Sequence, residues 1–230
     1  MADKKETFAE NSEHMFEEAL SNVETWFLKN QKHITMALVA VVVLVGGYFG
    51  YKFLYQEPRE KAAQEELFFA QNYFELDSLN KALNGDGVHY GMIDVIDNYS
   101  GTNASNLAHF YIGIIYLKKG QYQEAIDYLR KFSSDDLILT PLAKSLLGDC
   151  YAELGDMEKA LSYYEKAVSS HQNDMVTPMI LMKAAALCNL QNDYPKALKF
   201  YTRVRDEYTR SNEARDIDKY IAMMNAKINQ

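Results

Sequence analysis

Gly148-Asp149-Cys150-Tyr151-Ala152-Glu153-Leu154-Gly155-Asp156-Met157-Glu158-Lys159-Ala160 is one of three copies of a single phrase. Gly113-x-x-Tyr116-x-x-x-Gly120-x-Tyr122-x-x-Ala125 precedes it, and Ala185-x-x-Cys188-x-x-x-Asn192-x-Tyr194-x-x-Ala197 follows. The anchors at 113, 148 and 185 are spaced by 35 and then 37 residues. A period of that size belongs to stacked helical hairpins, each unable to bury its apolar face without a neighbour. Arrays of this kind bind other proteins more often than they do chemistry.

Each position in the phrase has a physical task. The small residues Gly113, Gly148 and Ala185, with Ala125, Ala160 and Ala197, let the two helices of a hairpin approach closely. Tyr116 and Tyr151 fill the space beside that contact. Gly120, Gly155 and Asn192 stand where the first helix must stop in a left-handed conformation, which Gly reaches freely and Asn tolerates next best. Asp156 and Asp193 follow at once as caps for the second helix. Thr140-Pro141 and Thr177-Pro178, 37 positions apart, predict helix starts in which Thr is the N-cap and Pro lies in the first turn.

These residues resemble the tetratricopeptide repeat family, whose pattern asks for a small residue, an aromatic, a turn glycine, an alanine, a large apolar residue and a final alanine. The second copy supplies Gly148, Tyr151, Gly155, Ala160, Tyr164 and Ala167. The first has Phe132 where the last alanine is usual, and the third departs at Cys188, Asn192 and Val204. The expected fold is an all-α helical-hairpin solenoid. Three repeats cover 106–210. Upstream, 56–105 reads as a linker helix plus a degenerate repeat, with helices over Glu60 to Leu76 and Met92 to Tyr99 around the Asn84-Gly85-Asp86-Gly87 turn. Downstream, 211–230 reads as a capping helix starting at Ser211, with Ala214, Ile217, Ile221, Met224 and Ile228 on one stripe.

Ile34 to Tyr51 is a charge-free apolar run within a predicted transmembrane helix over 34–55, flanked by Trp26 and Phe27 on one side and Phe53 and Tyr55 on the other. At about 1.5 Å per residue it is just long enough for a hydrocarbon core of about 30 Å. A solenoid has no core to enclose such a helix. A retained span is expected rather than a cleaved signal, because several acidic residues precede it and no small-x-small site follows. Pro58 is expected to break the helix beyond it. Lys29 and Lys32 on one side and Lys52, Arg59 and Lys61 on the other leave orientation undecided. Gly46-x-x-x-Gly50 is a candidate helix-pairing motif. Residues 1–33 place Phe8, Met15, Phe16, Leu20, Val23 and Phe27 roughly on one face, with Glu10, Glu13, Glu17, Glu18 and Glu24 elsewhere. That acidic face suits a protein partner or helix pairing better than anionic lipid, and a loosely ordered tail is the alternative.

The chain carries 24 basic and 32 acidic residues, a net charge of −8, and from Lys52 onward the balance is 20 against 25. No basic stripe is left for phosphate backbones, so nucleic acid is excluded as the expected partner. His14, His33, His89, His109 and His171 lack ligand spacing, so no metal is expected. Cys150 and Cys188 read as buried free thiols, with a disulfide as the alternative. No nucleotide or hydrolase motif occurs; neither an enzyme nor a cofactor is expected.

The family resemblance implies that the inner face of each first helix lines a partner-binding groove. Its positions fall on Leu107, Phe110, Ile114 and Leu117, then Leu142, Ser145, Asp149 and Ala152, then Met179, Met182, Ala186 and Asn189. Only Asn189 matches the cationic and amide set of carboxylate-binding members, so an apolar ligand is expected. The order of tail, span and repeats also resembles the bacterial ancillary subunits of the Sec translocon. That resemblance implies a single-pass inner-membrane protein with a cytoplasmic amino terminus and a periplasmic repeat domain. It would partner translocon subunits or periplasmic chaperones and hold apolar segments. Two alternatives stand beside it: a self-associating membrane scaffold, and a cytosol-facing import-type receptor.

Overall fold

The computed structural model describes residues 3–230, with side chains placed at Met15, Leu20 and Ser21 and from Val23 onward. The predicted apolar face of 1–33 therefore lies in part, at Phe8 and Phe16, outside the described residues. Every described element is helical. The chain divides into two compact units, Met1–Pro58 and Arg59–Gln230.

In the first unit, α1 (Asp3–Tyr51) is one helix of 49 residues, so tail and span share a helix. Its apolar run is long enough to cross a membrane, and none of that stretch is buried. It is therefore not the core helix of a globular domain. Polar side chains ahead of the run turn back on their own helix: Thr25 Oγ1 donates to the Ser21 carbonyl at 2.7 Å, and Asn30 Nδ2 to the Trp26 carbonyl at 2.8 Å. A π-helical turn, Lys52–Gln56, follows, in which the Glu57 N–H bonds to the Lys52 carbonyl. This corrects the expectation for Pro58, which is the second residue of the next helix, α2 (Glu57–Glu75), instead of a break. Proline has no N–H for the carbonyl four residues back, and the widened turn shifts the bonding register just before it.

In the second unit α2 is followed by α3 (Leu79–Asn84), which the sequence reading did not anticipate, and α4 (Met92–Asn98). Three hairpins come next: α5 (Asn103–Lys118) with α6 (Tyr122–Leu129), α7 (Leu139–Glu153) with α8 (Met157–Ser170), and α9 (Thr177–Leu190) with α10 (Tyr194–Glu207). The close approach within hairpins is as expected. A Cβ on Gly113 would lie 2.5 Å from Leu129, and one on Gly148 would lie 2.6 Å from Tyr164. Gly120, Gly155 and Asn192 have φ of 72°, 81° and 61°. After each, one residue on, the N–H closes the last turn onto the first helix: Gln121 to Tyr116, Asp156 to Tyr151 and Asp193 to Cys188, all at 2.9 Å. Asp156 and Asp193 cap α8 and α10 by accepting from the Lys159 and Lys196 N–H groups, both at 3.1 Å.

The helix starts differ from expectation. Thr140 lies inside α7 and Thr177 is the first residue of α9, so neither is an N-cap. The capping carboxylate is Asp136, accepting from Ile138 and Leu139, and its counterpart 37 positions on is Asn173, accepting from Met175 and Val176. An Asx side chain two or three residues upstream competes well with Thr for these donors. Thr140 instead donates to the Ser134 carbonyl, and Thr177 Oγ1 accepts from Asn173. The final helix, α11 (Ile217–Ile228), begins six residues later than the predicted Ser211. Ile217, Ile221 and Met224 form its buried stripe against α10, while Ile228 is exposed.

Two cores meet at α5. Ala104, Ala108, Ile112 and Ile115 face α2 and α4, whereas Phe110 joins the continuous core of the three hairpins and α11.

Candidate functional site

The surface available to a partner follows from how the hairpins stack. Each first helix touches the next, α5 against α7 and α7 against α9, while each second helix lies against its own hairpin partner and the following first helix. The first helices therefore make the inner layer.

Along that layer Leu107, Ile114 and Leu117 on α5, Leu142 on α7, and Met179 and Met182 on α9 are half-buried, each resting on the core with part of its side chain open. Ala186 is exposed. Phe110 and Ser145 correct the expected set, because they are 4% and 0% exposed and present nothing to a ligand. The cause for Phe110 is Phe132, the residue standing where the repeat pattern has alanine. A phenylalanine there cannot fit the close helix contact. The helix α6 stops at Leu129, Asn106 clasps both the N–H and the carbonyl of Ser133 (3.0 and 2.7 Å), and the Phe132 ring packs on Phe110 at 5.1 Å. Ser145 Oγ is buried without a hydrogen-bond partner among the described residues.

Asp149 and Asn189 are partly open but already engaged. Asp149 accepts from the Tyr164 hydroxyl at 2.8 Å and from Lys183 Nζ of the next repeat at 2.6 Å. Burial, and then the Asp149 charge, push the Tyr164 hydroxyl far above its usual pKa, so it stays a donor. Asn189 Oδ1 accepts from Lys227 of α11 at 2.9 Å, and the same ammonium sits 4.8 Å from the Tyr194 ring centre. The final helix thus occupies the third repeat's end of the layer. Lys183 and Lys227 are the residues at this surface that pattern reading missed; they act across 34 and 38 residues, where no periodicity points.

Cys150 and Cys188 are free and fully buried, and burial raises their thiols to about 12 and about 11. They are inert packing residues in this state. In the first unit, nothing lies within 4 Å of a Cβ placed on Gly46 or Gly50.

Two family models described as Tetratricopeptide repeat match residues 107–132 and 139–210. A Podosopora anserina protein with nearly identical kinesin light chain TPR-like repeats superposes with a TM-score of 0.57 at 12% identity, over 74% of this chain and 89% of that one. The MamA protein superposes at 0.50 with 14% identity, over 73% and 92%. Both likenesses concern the fold. Protein FLUORESCENT IN BLUE LIGHT, chloroplastic, of Arabidopsis thaliana is 35% identical over 69 residues. Those residues are 27% of this chain and 22% of that protein, so the present chain spans about a fifth of its length. Period, turn geometry, cap chemistry and these likenesses converge on the hairpins α5 to α10, which match the tetratricopeptide repeat family over residues 107–132 and 139–210.

Proposed function

We propose that this protein-interaction module is anchored in a membrane by α1 and holds an apolar segment of its partner along the inner layer of α5, α7 and α9. The observation carrying this reading is the run of half-buried Leu107, Ile114, Leu117, Leu142, Met179 and Met182 on the first helices of three consecutive hairpins. Their exposed portions gain by covering, at about 25 cal/mol per Å2 of apolar surface. Methionine adapts to differing partners. The anchor keeps this surface beside the bilayer and raises its effective concentration toward membrane-associated partners. In its fuller form the protein is an ancillary subunit of a Sec-type translocon in a bacterial inner membrane. The amino terminus is then cytoplasmic, and the repeats meet emerging segments or chaperones in the periplasm.

The test is native co-purification of the full-length protein in mild detergent, read by mass spectrometry, for wild type and an Ile114→Glu, Met182→Glu double variant. Both positions are partly open, so the fold is retained. Channel subunits or a periplasmic chaperone recovered with wild type and lost with the variant support the reading. Equal recovery removes the inner layer from the argument. Recovery of the protein alone as a defined oligomer moves the assignment to a self-associating scaffold using Gly46 and Gly50. A topology reporter fused after Gln230 that is active only in the cytosol moves it to an import-type receptor.

A further inference from the structure

The two junctions between consecutive hairpins are built from the same repeat positions, and each carries a cleft, of about 530 Å3 at the first and about 550 Å3 at the second, lined by different side chains. Between the second and third hairpins, Leu181 is fully buried and Tyr208 is 6% exposed. Thirty-seven positions earlier, at the junction of the first and second hairpins, the equivalents are Lys144 and His171. Glu165 on the second hairpin, which pairs with Lys196 at 3.0 Å, has Arg130 as its equivalent 35 positions earlier. The first junction's cleft therefore differs from the second's in its chemistry and not in its size. Arg130, Lys144 and His171 stand in the first cleft's wall with Ser133, Ser134 and Tyr163, over an apolar floor that includes Leu129 and Leu147.

Replacing a buried leucine by a half-buried lysine removes packing and places an ammonium group beside apolar surface. In a chain of net charge −8, neither Lys144 nor Arg130 has a carboxylate within 4.0 Å among the described residues. The Arg130 guanidinium faces the Tyr163 hydroxyl, which raises its pKa. Asp135 is the only carboxylate among the described residues that line the cleft, and it is exposed.

We propose that this cleft binds a small organic phosphate, its phosphoryl oxygens on Arg130 and Lys144 and its carbon skeleton on the Leu129 and Leu147 floor. A phosphate ester carries close to two charges and three strong acceptor oxygens. That matches two cations that have no carboxylate partner among the described residues and have serine hydroxyls beside them, whereas a single carboxylate would leave one cation unanswered. The volume lies within the usual range of about 300 to 1,000 Å3 for small-molecule sites. The site is independent of the inner layer, so it stands or falls apart from the partner-binding reading.

The experiment titrates the full-length protein in mild detergent with phenyl phosphate by isothermal calorimetry, and separately with dihexanoyl phosphatidic acid. Saturable binding of one molecule per chain is expected. Lys144→Leu, which copies Leu181 of the second junction, weakens it by about tenfold or more, the effect of losing one charge-assisted hydrogen bond. Arg130→Glu, an exposed position copying Glu165, does the same and keeps the test open should Lys144→Leu fail to fold. Tighter binding of the phosphatidic acid assigns the site to a lipid head group, and tighter phenyl phosphate assigns it to a soluble ester. Absence of saturable binding of both probes overturns the proposal, and so does undiminished binding in the folded variants.

Discussion

The hairpin α7–α8 and the region α2–α4 both bury a continuous set of apolar side chains, but different devices hold them. In the hairpin every device is local and repeated: Gly148 under Tyr164, Gly155 at the stop, Asp156 at the restart. In the leading region the devices are long reaches made once. The Glu60 carboxylate accepts from the Asn103 and Ala104 N–H groups of α5 at 2.6 and 3.1 Å, more than forty residues away. Glu66 accepts from the Tyr90 N–H at 2.9 Å, and the Tyr73 hydroxyl donates to Asp86 at 2.6 Å. A hairpin that repeats its contacts advertises them in sequence. A clasp between distant side chain and backbone leaves no period behind.

Gly148→Val breaks the periodic side of the comparison hardest. Its Cβ would meet Tyr164 Cε1 at 2.6 Å and the Ala160 carbonyl at 3.2 Å. The Tyr164 ring cannot swing clear, because it is buried and tied to Asp149. Overpacking of this kind costs about 3 kcal/mol, and loss of the Asp149 network would add to it. The expected result is a clear drop of the urea midpoint in circular dichroism. A midpoint equal to wild type would mean that the small residue is not what lets the helices close.

Glu60→Ala is the matching test of the clasped region. It takes the acceptor from two first-turn N–H groups of α5, and loss of such a cap costs about 1 to 2 kcal/mol. Amide exchange should quicken at Asn103 and Ala104 while Lys159, capped by its own Asp156, stays unchanged. Equal acceleration at all three would show that the two regions open as one unit, and the contrast between local and distant devices would lose its meaning.

What could be read beforehand divides along the same line. The left-handed stops at Gly120, Gly155 and Asn192 and the caps at Asp156 and Asp193 were legible, because each rests on one residue's own stereochemistry. The inner-layer set was legible only where neighbours were regular. Phe110 was misplaced because Phe132, three residues beyond the end of α6, draws it into the core. Asn189 was seen, but not Lys227 on it. Thr140 and Thr177 have the right chemistry for caps, yet Asp136 and Asn173 sit closer to the free N–H groups. Helix α11 starts late because residues 211–216 form bends and turns before Ile217, and the half-buried Ala214 side chain in that turn mimics a helical stripe.

The smallest expected effect concerns pH, and it separates the two regions by their carboxylates. Asp156 is held below the usual 3.8 by hydrogen bonds from Lys159, first from its ammonium at 2.6 Å and then from its backbone N–H. Asp86 in the clasp is lowered further, first by the His89 N–H and then by the Tyr73 hydroxyl and Val88 N–H. A carboxylate with a lowered folded pKa contributes stability that is fully present above its unfolded value and is lost as pH falls through the folded one. Acidification from pH 5 toward pH 2 should therefore lower the urea midpoint of wild type. Asn at either position keeps an acceptor but has no charge to lose, so each variant should show a shallower fall than wild type. Because Asp86 lies lower, the loss that Asp86→Asn removes should fall at more acidic pH than the loss that Asp156→Asn removes. If both variants follow the wild-type curve, neither carboxylate is linked to folding, and acid acts elsewhere in the chain. If only Asp156→Asn departs from it, the hairpin cap survives in solution and the Asp86 clasp does not, which would locate the weaker end of the repeat unit at the region whose contacts are made once.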